Sequence, residues 1–376
     1  MAAAGARKTD YRFKFLYAVG MVMILTIHAN GIGISLLYDW FPAHGFAIAL
    51  FVFCSGYFYK DRNEQNIPGY ILKKARTLLL PLYLWNLFYG LLVWALRPLG
   101  FTIGLMPSFS TLVLMPLYEG SQFEYNMGSW YIAPMFMTEV ANILLRRLFR
   151  VAGSRRRECA YFLGTLALGI LGVWLSQRVV RTGWMLALLR LTYFLPFYAL
   201  GIFYQRVLEE YDRVPDAAWY ALLFFLQYLV VIIVGHFPVY TFSRCDNFTD
   251  GLLTPFIAGV LGLGFWLRTA RLMEPTFARD KWVNIVADNS MSIMMNHFLG
   301  FMLVKTGFAL LQRFTSRCQD FDLAQFKSNL VYFYAPGGRV FYIFYLAAGL
   351  LVPIGLQALV NLVKRRFARR RSPARV

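Results

Sequence analysis

The chain has 376 residues, of which 59% are hydrophobic, 18% are aromatic and only 15% are charged. A water-soluble protein of this length needs far more polar surface, so the composition excludes a soluble globular protein and predicts a polytopic membrane protein. The formal net charge of +19 keeps a nucleic-acid binder in view until the basic residues are placed.

Apolar runs long enough to cross ~30 Å of hydrocarbon recur along the chain. They predict an all-α bundle of ten transmembrane helices at 13–37, 42–59, 77–96, 129–145, 159–177, 184–205, 217–235, 250–267, 284–311 and 340–363. Of the 38 Lys and Arg residues, 28 fall on the side that holds both termini, with Lys14 at the edge of the first span counted there, 8 on the other side and 2 within spans. The positive-inside rule therefore predicts that the N- and C-termini are cytoplasmic.

The predicted organisation is a single membrane-embedded domain over residues 1–376, with basic tails at 1–12 and 364–376. The second tail serves as a topology anchor, and its charge also suits anionic membrane lipids. This placement of the basic residues explains the net charge without a nucleic-acid partner. The first apolar run has no small-residue cleavage pattern, so we expect it to remain as a span.

Three predicted outer segments, 97–128, 236–249 and 312–339, are longer than a turn. Long segments on one face tend to carry function, so we expect a substrate to dock on this side. The first segment is predicted to form a lid or to dip into the membrane. Cys245 and Cys318 lie in the second and third segments, where an oxidising compartment would allow a disulfide between them.

Two histidines and one carboxylate lie deep in the predicted spans. His28 lies ~22 Å and His297 ~20 Å from the cytoplasmic boundary, and Glu139 is near the midplane. Ionisable residues at this depth usually face a bundle interior or a water-filled cavity and mark function. The alternative is a histidine that only hydrogen-bonds a neighbouring helix. Two imidazoles at matched depth favour chemistry, because a neutral imidazole can take a proton from a hydroxyl.

Glu139 has two interpretations of equal weight. Its carboxylate could hold the imidazole of His28 in one tautomer and orientation. It could instead neutralise Arg190 or Lys305, the two basic residues inside predicted spans, as a structural ion pair.

Two further stretches suit either packing or binding. Ser55 and Gly56 interrupt an aromatic run in "LFVFCSGYFYK", where a glycine lets a helix or a ligand approach closely. Lys73, Lys74 and Arg76 in "ILKKARTLLLPLYLWN" lie at the cytoplasmic edge of the third span. These cations either anchor the helix by the positive-inside rule or clamp a phosphate.

The order of these features resembles the bacterial acyltransferase-3 family of integral-membrane O-acyltransferases, particularly its sugar O-acetylase branch. The resemblance rests on the deep histidine, "SGYF", "KKARTLLLPLYLWN", "GSWYIAPMF" and "NSMSIMMNHFLGF", and it covers roughly residues 12 to 363. It implies acyl-CoA, most often acetyl-CoA, as a cytoplasmic donor substrate. It also implies a glycan or lipid-linked sugar as acceptor, with a bacterial inner-membrane location.

The resemblance also implies roles for individual residues. His28 matches the family's catalytic histidine and His297 its late histidine. The remaining matches are Ser55 and Gly56 for the phenylalanine-serine-glycine motif, Arg76 for the basic residue at the CoA phosphates, and Trp130 for the aromatic opening helix four. One position departs from the family, because Tyr17 stands where members often carry an arginine. Arg12 and Lys14 lie about one turn from it.

From the residues and the resemblance together we expect a catalytic group of His28, Glu139 and His297, with His28 as general base. The donor site is expected at Ser55, Gly56, Lys73, Lys74 and Arg76. Asn30 and Trp130 are expected to bind substrate, and Asn30, Ser55 or Trp130 could donate to the developing oxyanion. No metal and no permanently bound cofactor is expected.

Other functions stay open on the sequence alone. A transporter or flippase for a sugar or acyl donor also uses ten helices and buried charges, although no internal repeat is visible. A structural subunit of a glycan-export assembly would tolerate loss of His28. The acyl group, acetyl or succinyl or longer, the choice between direct transfer and a covalent acyl-histidine, and the oligomeric state are not predicted.

Overall fold

The structure, a computed structural model, describes residues 9–29 and 40–371. These residues form helices joined by turns, and within them the only β-pairing is an isolated bridge between Thr241 and Asp246. The predicted all-α fold class is therefore confirmed. Asn30, expected to bind substrate, lies outside the described residues.

The α-helices are numbered here in chain order. They are α1 Tyr11–His28, α2 Ala43–Tyr57, α3 Ile67–Lys74, α4 Leu80–Leu96, α5 Met115–Tyr118, α6 Ile132–Leu148, α7 Arg155–Ser176, α8 Gly183–Phe203, α9 Asp216–Val234, α10 Thr254–Met273, α11 Lys281–Asp288, α12 Ser290–Phe314, α13 Leu323–Ser328 and α14 Tyr342–Arg371. A π-helical turn, Ala75–Leu79, joins α3 to α4 without a break.

Seven helical segments of the described chain are long and apolar enough to cross a membrane. They are Ile67–Leu99, Arg155–Ser176, Gly183–Tyr211, Asp216–Val234, Thr254–Met273, Ser290–Phe314 and Tyr342–Arg366. Each coincides with one of the ten predicted spans. The chain is therefore a multi-pass membrane protein, and the other three predicted spans fall on α1, α2 and α6, which have 18, 15 and 17 residues.

Helix α2 shows why some helices of the bundle differ from simple spans. It packs against α1, α8 and α10, and most of its residues are buried. By contrast, α9 buries only Leu223 and Gln227, and its other residues are half-buried or exposed. A helix enclosed by other helices does not face lipid, so its length need not match the thickness of the hydrocarbon layer. Hydropathy alone therefore identifies the outer helices better than the enclosed ones.

Two glycines let α2 and α8 touch at backbone distance. A Cβ atom on Gly56 would lie 2.0 Å from the carbonyl oxygen of Tyr198, and one on Gly201 would lie 2.2 Å from that of Phe53. Real Cβ atoms do not approach so closely, so no larger residue fits without separating the helices. Gly56 thus serves helix packing in the structure, which is the first of the two interpretations of this stretch.

A buried ion cluster ties α6 to α7 and to the turn after α2. The Arg146 side chain is fully buried and donates to both carboxylate oxygens of Glu158 at 2.7 Å. It also reaches Glu64 and Asp61 at 3.2 Å. Arg206 bonds the same Glu158 and Asp61. Because the cations are matched by carboxylates, the cluster can stay inside the protein.

The first outer segment is held against the bundle by Arg190. Its guanidinium donates to the carbonyl oxygens of Tyr118 at 2.7 Å and Glu119 at 3.1 Å, and to that of Ser243 at 2.9 Å. It therefore connects two of the three outer segments to α8. Lys305 acts similarly and donates to the carbonyl oxygen of Leu330 at 2.8 Å.

The hypothesised disulfide is absent. Cys245 and Cys318 are both free thiols, as are Cys54 and Cys159. Cys245 is buried in the main hydrophobic core, with its sulfur 3.7 Å from the carbonyl oxygen of Phe242. Cys318 lies beyond the end of α12 and is only partly buried. Sharing one face of the membrane is not enough, because a disulfide needs Cβ atoms within ~4 Å.

Candidate active site

Two histidines from opposite ends of the chain meet inside the bundle. His28 is the last residue of α1, and His297 lies near the start of α12. Nδ1 of His28 is 2.7 Å from Nε2 of His297, and the rings are nearly parallel with centroids 4.9 Å apart. His297 is fully buried. The two histidines, which were predicted to lie at matched depth, are thus joined by a direct hydrogen bond.

The tautomers of the pair follow from a third group. Nδ1 of His297 is 2.9 Å from the carbonyl oxygen of Ile293, which can only accept a hydrogen bond. Nδ1 of His297 therefore carries the proton, and in the neutral ring its Nε2 accepts. His28 must then donate from Nδ1, which leaves the lone pair of His28 on Nε2. This arrangement gives His28 one basic nitrogen not used by the pair.

The surroundings of the pair are apolar and tightly packed. Phe298 lies beside both rings, with centroids 5.1 Å from His28 and 4.4 Å from His297. The turn before α6 closes another side, because a Cβ on Gly128 would lie 3.2 Å from Cε1 of His297 and 2.1 Å from the carbonyl oxygen of Met294. Such an apolar environment strengthens the hydrogen bonds inside it.

A cavity of about 770 Å³ leads towards the pair from the end of the bundle where α1 begins. Its wall includes Met21, two turns before His28, and Met294, one turn before His297. Neither histidine lines it. Its volume lies within the ~300–1,000 Å³ typical of small-molecule sites.

The outer part of this cavity is rich in charge. Five basic residues line it: Lys14, Lys60, Arg62, Lys73 and Lys74. Three acidic residues line it as well: Asp10, Glu139 and Asp288. The excess of positive charge suits an anionic ligand.

Glu139 belongs to the cavity wall and not to the histidine pair. Its carboxylate accepts from Nζ of Lys74 at 2.7 Å and from the hydroxyl of Tyr70 at 2.9 Å. The prediction that it pairs with Arg190 or Lys305 is wrong, because both of those cations bond backbone carbonyls instead. Nor does it bond His28, whose Nδ1 is taken by His297.

The expected donor-site residues divide into two groups. Ser55, Lys73 and Lys74 line the cavity. Gly56 packs on α8 and Arg76 is exposed, and neither lines it. Ser55 donates to the carbonyl oxygen of Phe51 at 3.0 Å, a bond within its own helix.

The position that departs from the family pattern faces the cavity. Tyr17 and Lys14 both line it, and Lys14 is ion-paired with Asp288. Arg12 does not line it, and its guanidinium bonds Asp10 and Glu209. Of the two basic residues near Tyr17, Lys14 is therefore the one at the cavity.

Trp130 lies towards the outer segments. It is mostly buried, and the guanidinium carbon of Arg190 is 5.0 Å from its ring centroid. Its neighbour Tyr131 lines the cavity instead. The sequence reasoning missed Tyr131 and Asp288, although the break "ADNS" before α12 was a visible signal for the second.

The described residues contain no group of three or more His, Cys, Asp or Glu side chains placed to hold a metal ion. Ser, Tyr and basic side chains instead dominate the polar wall of the cavity. The arrangement therefore combines a cavity with an excess of basic residues and, beyond its Met21 and Met294 wall, an imidazole with a defined lone pair.

Comparison with known proteins agrees with this chemistry. The family model described as an acyltransferase domain, acyltransferase-3, matches residues 11–358, nearly the whole chain. No curated protein and no solved structure matches this chain. The match includes α1 to α13, both histidines and every residue that lines the cavity except Thr9 and Asp10. The chain therefore belongs to the acyltransferase-3 family, and it is a membrane acyltransferase.

Proposed function

We propose that this protein is an O-acyltransferase of the bacterial inner membrane. It moves an acyl group, acetyl in the first place, from cytoplasmic acyl-CoA to a hydroxyl of an extracytoplasmic or lipid-linked glycan. The observation that carries the proposal is the hydrogen-bond chain from the Ile293 carbonyl through His297 to His28. It supports His28 as general base, because Nε2 keeps a lone pair.

The cavity supports the choice of donor. Acyl-CoA carries phosphates at one end and a thioester at the other, joined by a long flexible arm. The basic residues Lys73 and Arg62 line the cavity, and Met21 and Met294 line it two turns and one turn before the histidines on α1 and α12. Lys and Arg are the usual phosphate ligands. Methionine side chains are flexible, so the thioester could pass them to reach His28.

In the proposed step, Nε2 of His28 takes the proton of the acceptor hydroxyl while the hydroxyl oxygen attacks the thioester carbonyl carbon. The tetrahedral intermediate collapses as the carbon–sulfur bond breaks. The departing CoA thiolate takes the proton from the His28 imidazolium, so protons and electrons balance. His297, which accepts from Nδ1 of His28, stabilises the imidazolium in the meantime. We also propose that Asn30, Ser55 or Trp130 donates a hydrogen bond to the oxyanion that develops on the carbonyl oxygen.

The test uses native membranes that contain the wild-type protein, His28→Ala or His236→Ala at matched abundance. His236 is an exposed histidine between α9 and α10, so its variant is the matched control. Radiolabelled acetyl-CoA is supplied, and label is followed into the glycan fraction and onto the protein. We expect the wild type and His236→Ala to label the glycan equally, and His28→Ala to do so at least ~100-fold less.

Three outcomes would change the proposal. Equal labelling by His28→Ala would remove His28 from the reaction. Label retained on the wild-type protein, and absent from His28→Ala, would replace direct transfer by a covalent acyl-histidine. No labelling by the wild type, together with uptake of a labelled sugar, would favour a transporter or flippase.

A further inference from the structure

Buried polar atoms without a hydrogen-bond partner are concentrated in one stretch of the first outer segment. The stretch holds Oε1 of Gln122, the hydroxyl of Tyr125, and both Nδ2 and Oδ1 of Asn126. Tyr125 is 1% exposed and Asn126 is fully buried. Burying a polar atom without a partner is unfavourable, so native proteins rarely leave such atoms together.

Asn126 differs from the other buried asparagines near it. The amide of Asn86 donates to the carbonyl oxygens of Thr111 and Leu112 and accepts from Gln122. Asn296 accepts from the hydroxyl of Tyr89 at 2.8 Å and donates to the carbonyl oxygen of Ser292 at 3.0 Å. In Asn86 and Asn296 both the amide oxygen and the amide nitrogen are hydrogen-bonded, whereas in Asn126 neither is. The amide of Asn126 therefore has hydrogen-bonding capacity that the described residues leave unused.

The position of Asn126 is fixed by the turn that follows it. The backbone N–H of Ser129 donates to the carbonyl oxygen of Asn126 at 2.8 Å, and Oγ of Ser129 donates to the carbonyl oxygen of Gly120 at 2.5 Å. Gly128, two residues after Asn126, packs against the ring of His297. The amide therefore belongs to a hydrogen-bonded turn that packs on His297.

We propose that Asn126, assisted by Tyr125, forms a hydroxyl-binding subsite for the acceptor beside the His28–His297 pair. The inference rests on the proposed acyl transfer and adds where the acceptor is held. An amide presents an acceptor oxygen and a donor nitrogen side by side, which matches a hydroxyl that donates and a neighbouring hydroxyl that accepts. The favoured acceptor is thus a molecule with two adjacent hydroxyls, one held by Asn126 while the other loses its proton to His28.

The test compares Asn126→Leu with Asn142→Leu in the full-length protein. Leucine is similar in size but removes both unpaired atoms of Asn126. Asn142 is also a fully buried asparagine with an unpaired Nδ2, but it lies on α6 and its Oδ1 accepts from the hydroxyl of Tyr161. Purified protein is given labelled acetyl-CoA and increasing amounts of glycan extracted from the native membranes. Rates, acetyl-CoA binding and melting temperature are measured.

We expect Asn126→Leu to melt at or above the wild-type temperature and to bind acetyl-CoA normally. Its apparent KM for the glycan should rise at least 10-fold. Asn142→Leu should keep the wild-type KM, whatever its effect on stability. Asn126→Asp keeps the acceptor oxygens and loses the donor, so its KM should lie between those of Asn126→Leu and the wild type.

Other results would overturn the subsite. An unchanged KM for the glycan in Asn126→Leu would show that the amide does not hold the acceptor. A fall in kcat alone would assign Asn126 to the oxyanion instead. A large loss of melting temperature would make the amide structural. If the wild type transfers no acetyl group at all, the proposed function fails first, and this result is distinct from the other three.

Discussion

His28 and His297 form a 2.7 Å hydrogen bond although 269 residues separate them in the chain. The bond joins the end of α1 to α12, and the Ile293 carbonyl extends it to a chain of three groups. Because the Ile293 carbonyl can only accept a hydrogen bond, it fixes which ring nitrogen of each histidine carries a proton, and no charged partner is needed. His297 thus occupies the orienting position that a carboxylate fills in a Ser-His-Asp triad.

The first prediction concerns this orientation. His297→Leu removes the acceptor for Nδ1 of His28, so acyl transfer should fall at least ~100-fold. His297→Gln keeps an oxygen that can accept the same hydrogen bond, so it should retain clearly more activity than His297→Leu. The measurement is kcat with saturating acetyl-CoA. Equal losses in the two variants would show that His297 does more than orient His28.

The second prediction concerns the contact between the turn before α6 and α12. Gly128→Ala places a methyl group 2.1 Å from the carbonyl oxygen of Met294, so the turn must move away from His297. Overpacking of this kind costs about 1–3 kcal/mol of stability. We expect a lower melting temperature in detergent and a strong loss of acyl transfer.

Gly307→Ala is the matched control for Gly128→Ala. Gly307 lies on α12, and a Cβ atom on it would have no neighbour within 4 Å beyond the nearby backbone of its own helix. Alanine is also the better helix former at such a position, so this variant should be neutral or slightly more stable. If Gly128→Ala behaves like Gly307→Ala, the close packing of the turn on α12 is not important for activity.

The third prediction separates the two members of the Lys74–Glu139 pair. Lys74→Met removes a cation and leaves the nearly buried carboxylate of Glu139 facing the cavity, so the KM for acetyl-CoA should rise roughly 10-fold. Glu139→Gln removes the negative charge and leaves Lys74 for the phosphates, so the KM should stay level or fall.

Lys281→Met serves as the control for the cavity charges, because Lys281 is exposed at the start of α11 and does not line the cavity. It should leave the KM for acetyl-CoA unchanged. A KM raised equally by Lys74→Met and Glu139→Gln would mean that the pair is structural and does not meet the donor.

The fourth prediction concerns stability alone. Arg146→Met leaves the buried carboxylates of Glu158 and Glu64 without their main partner, which costs about 3 kcal/mol or more. Arg147→Met, at the exposed neighbouring position, should have little effect. Thermal unfolding of both variants in the same detergent compares them directly. A normal melting temperature for Arg146→Met would show that Arg206 alone can neutralise the cluster.

The fifth prediction concerns Cys245. Burial raises the pKa of its thiol to about 12, so almost all of this thiol stays protonated at pH 8. Because the thiolate is the reactive form, a maleimide should not label Cys245 in folded protein. Labelling after denaturation in SDS should recover it, and mass spectrometry identifies the modified peptide. Rapid labelling of Cys245 in the folded protein would contradict its buried position.

Hydropathy and charge predicted much of this protein. Seven predicted spans coincide with apolar helices because residues facing lipid must be apolar wherever they occur. The two deep histidines were visible as functional candidates for the same reason, since an imidazole inside a span is costly and needs a partner. Lys73, Lys74 and Ser55, which the sequence singled out as candidates for one site, line the same cavity.

The sequence by itself therefore determined that this is a helical membrane protein with two deep imidazoles and a basic edge on the third predicted span. Only the tertiary structure decided that His28 bonds His297, that Glu139 bonds Lys74, and that Gly56 packs against α8. The difference has a physical reason. Hydropathy is a property of each segment on its own, whereas the partner of a buried polar group depends on which helices pack together and at what rotation.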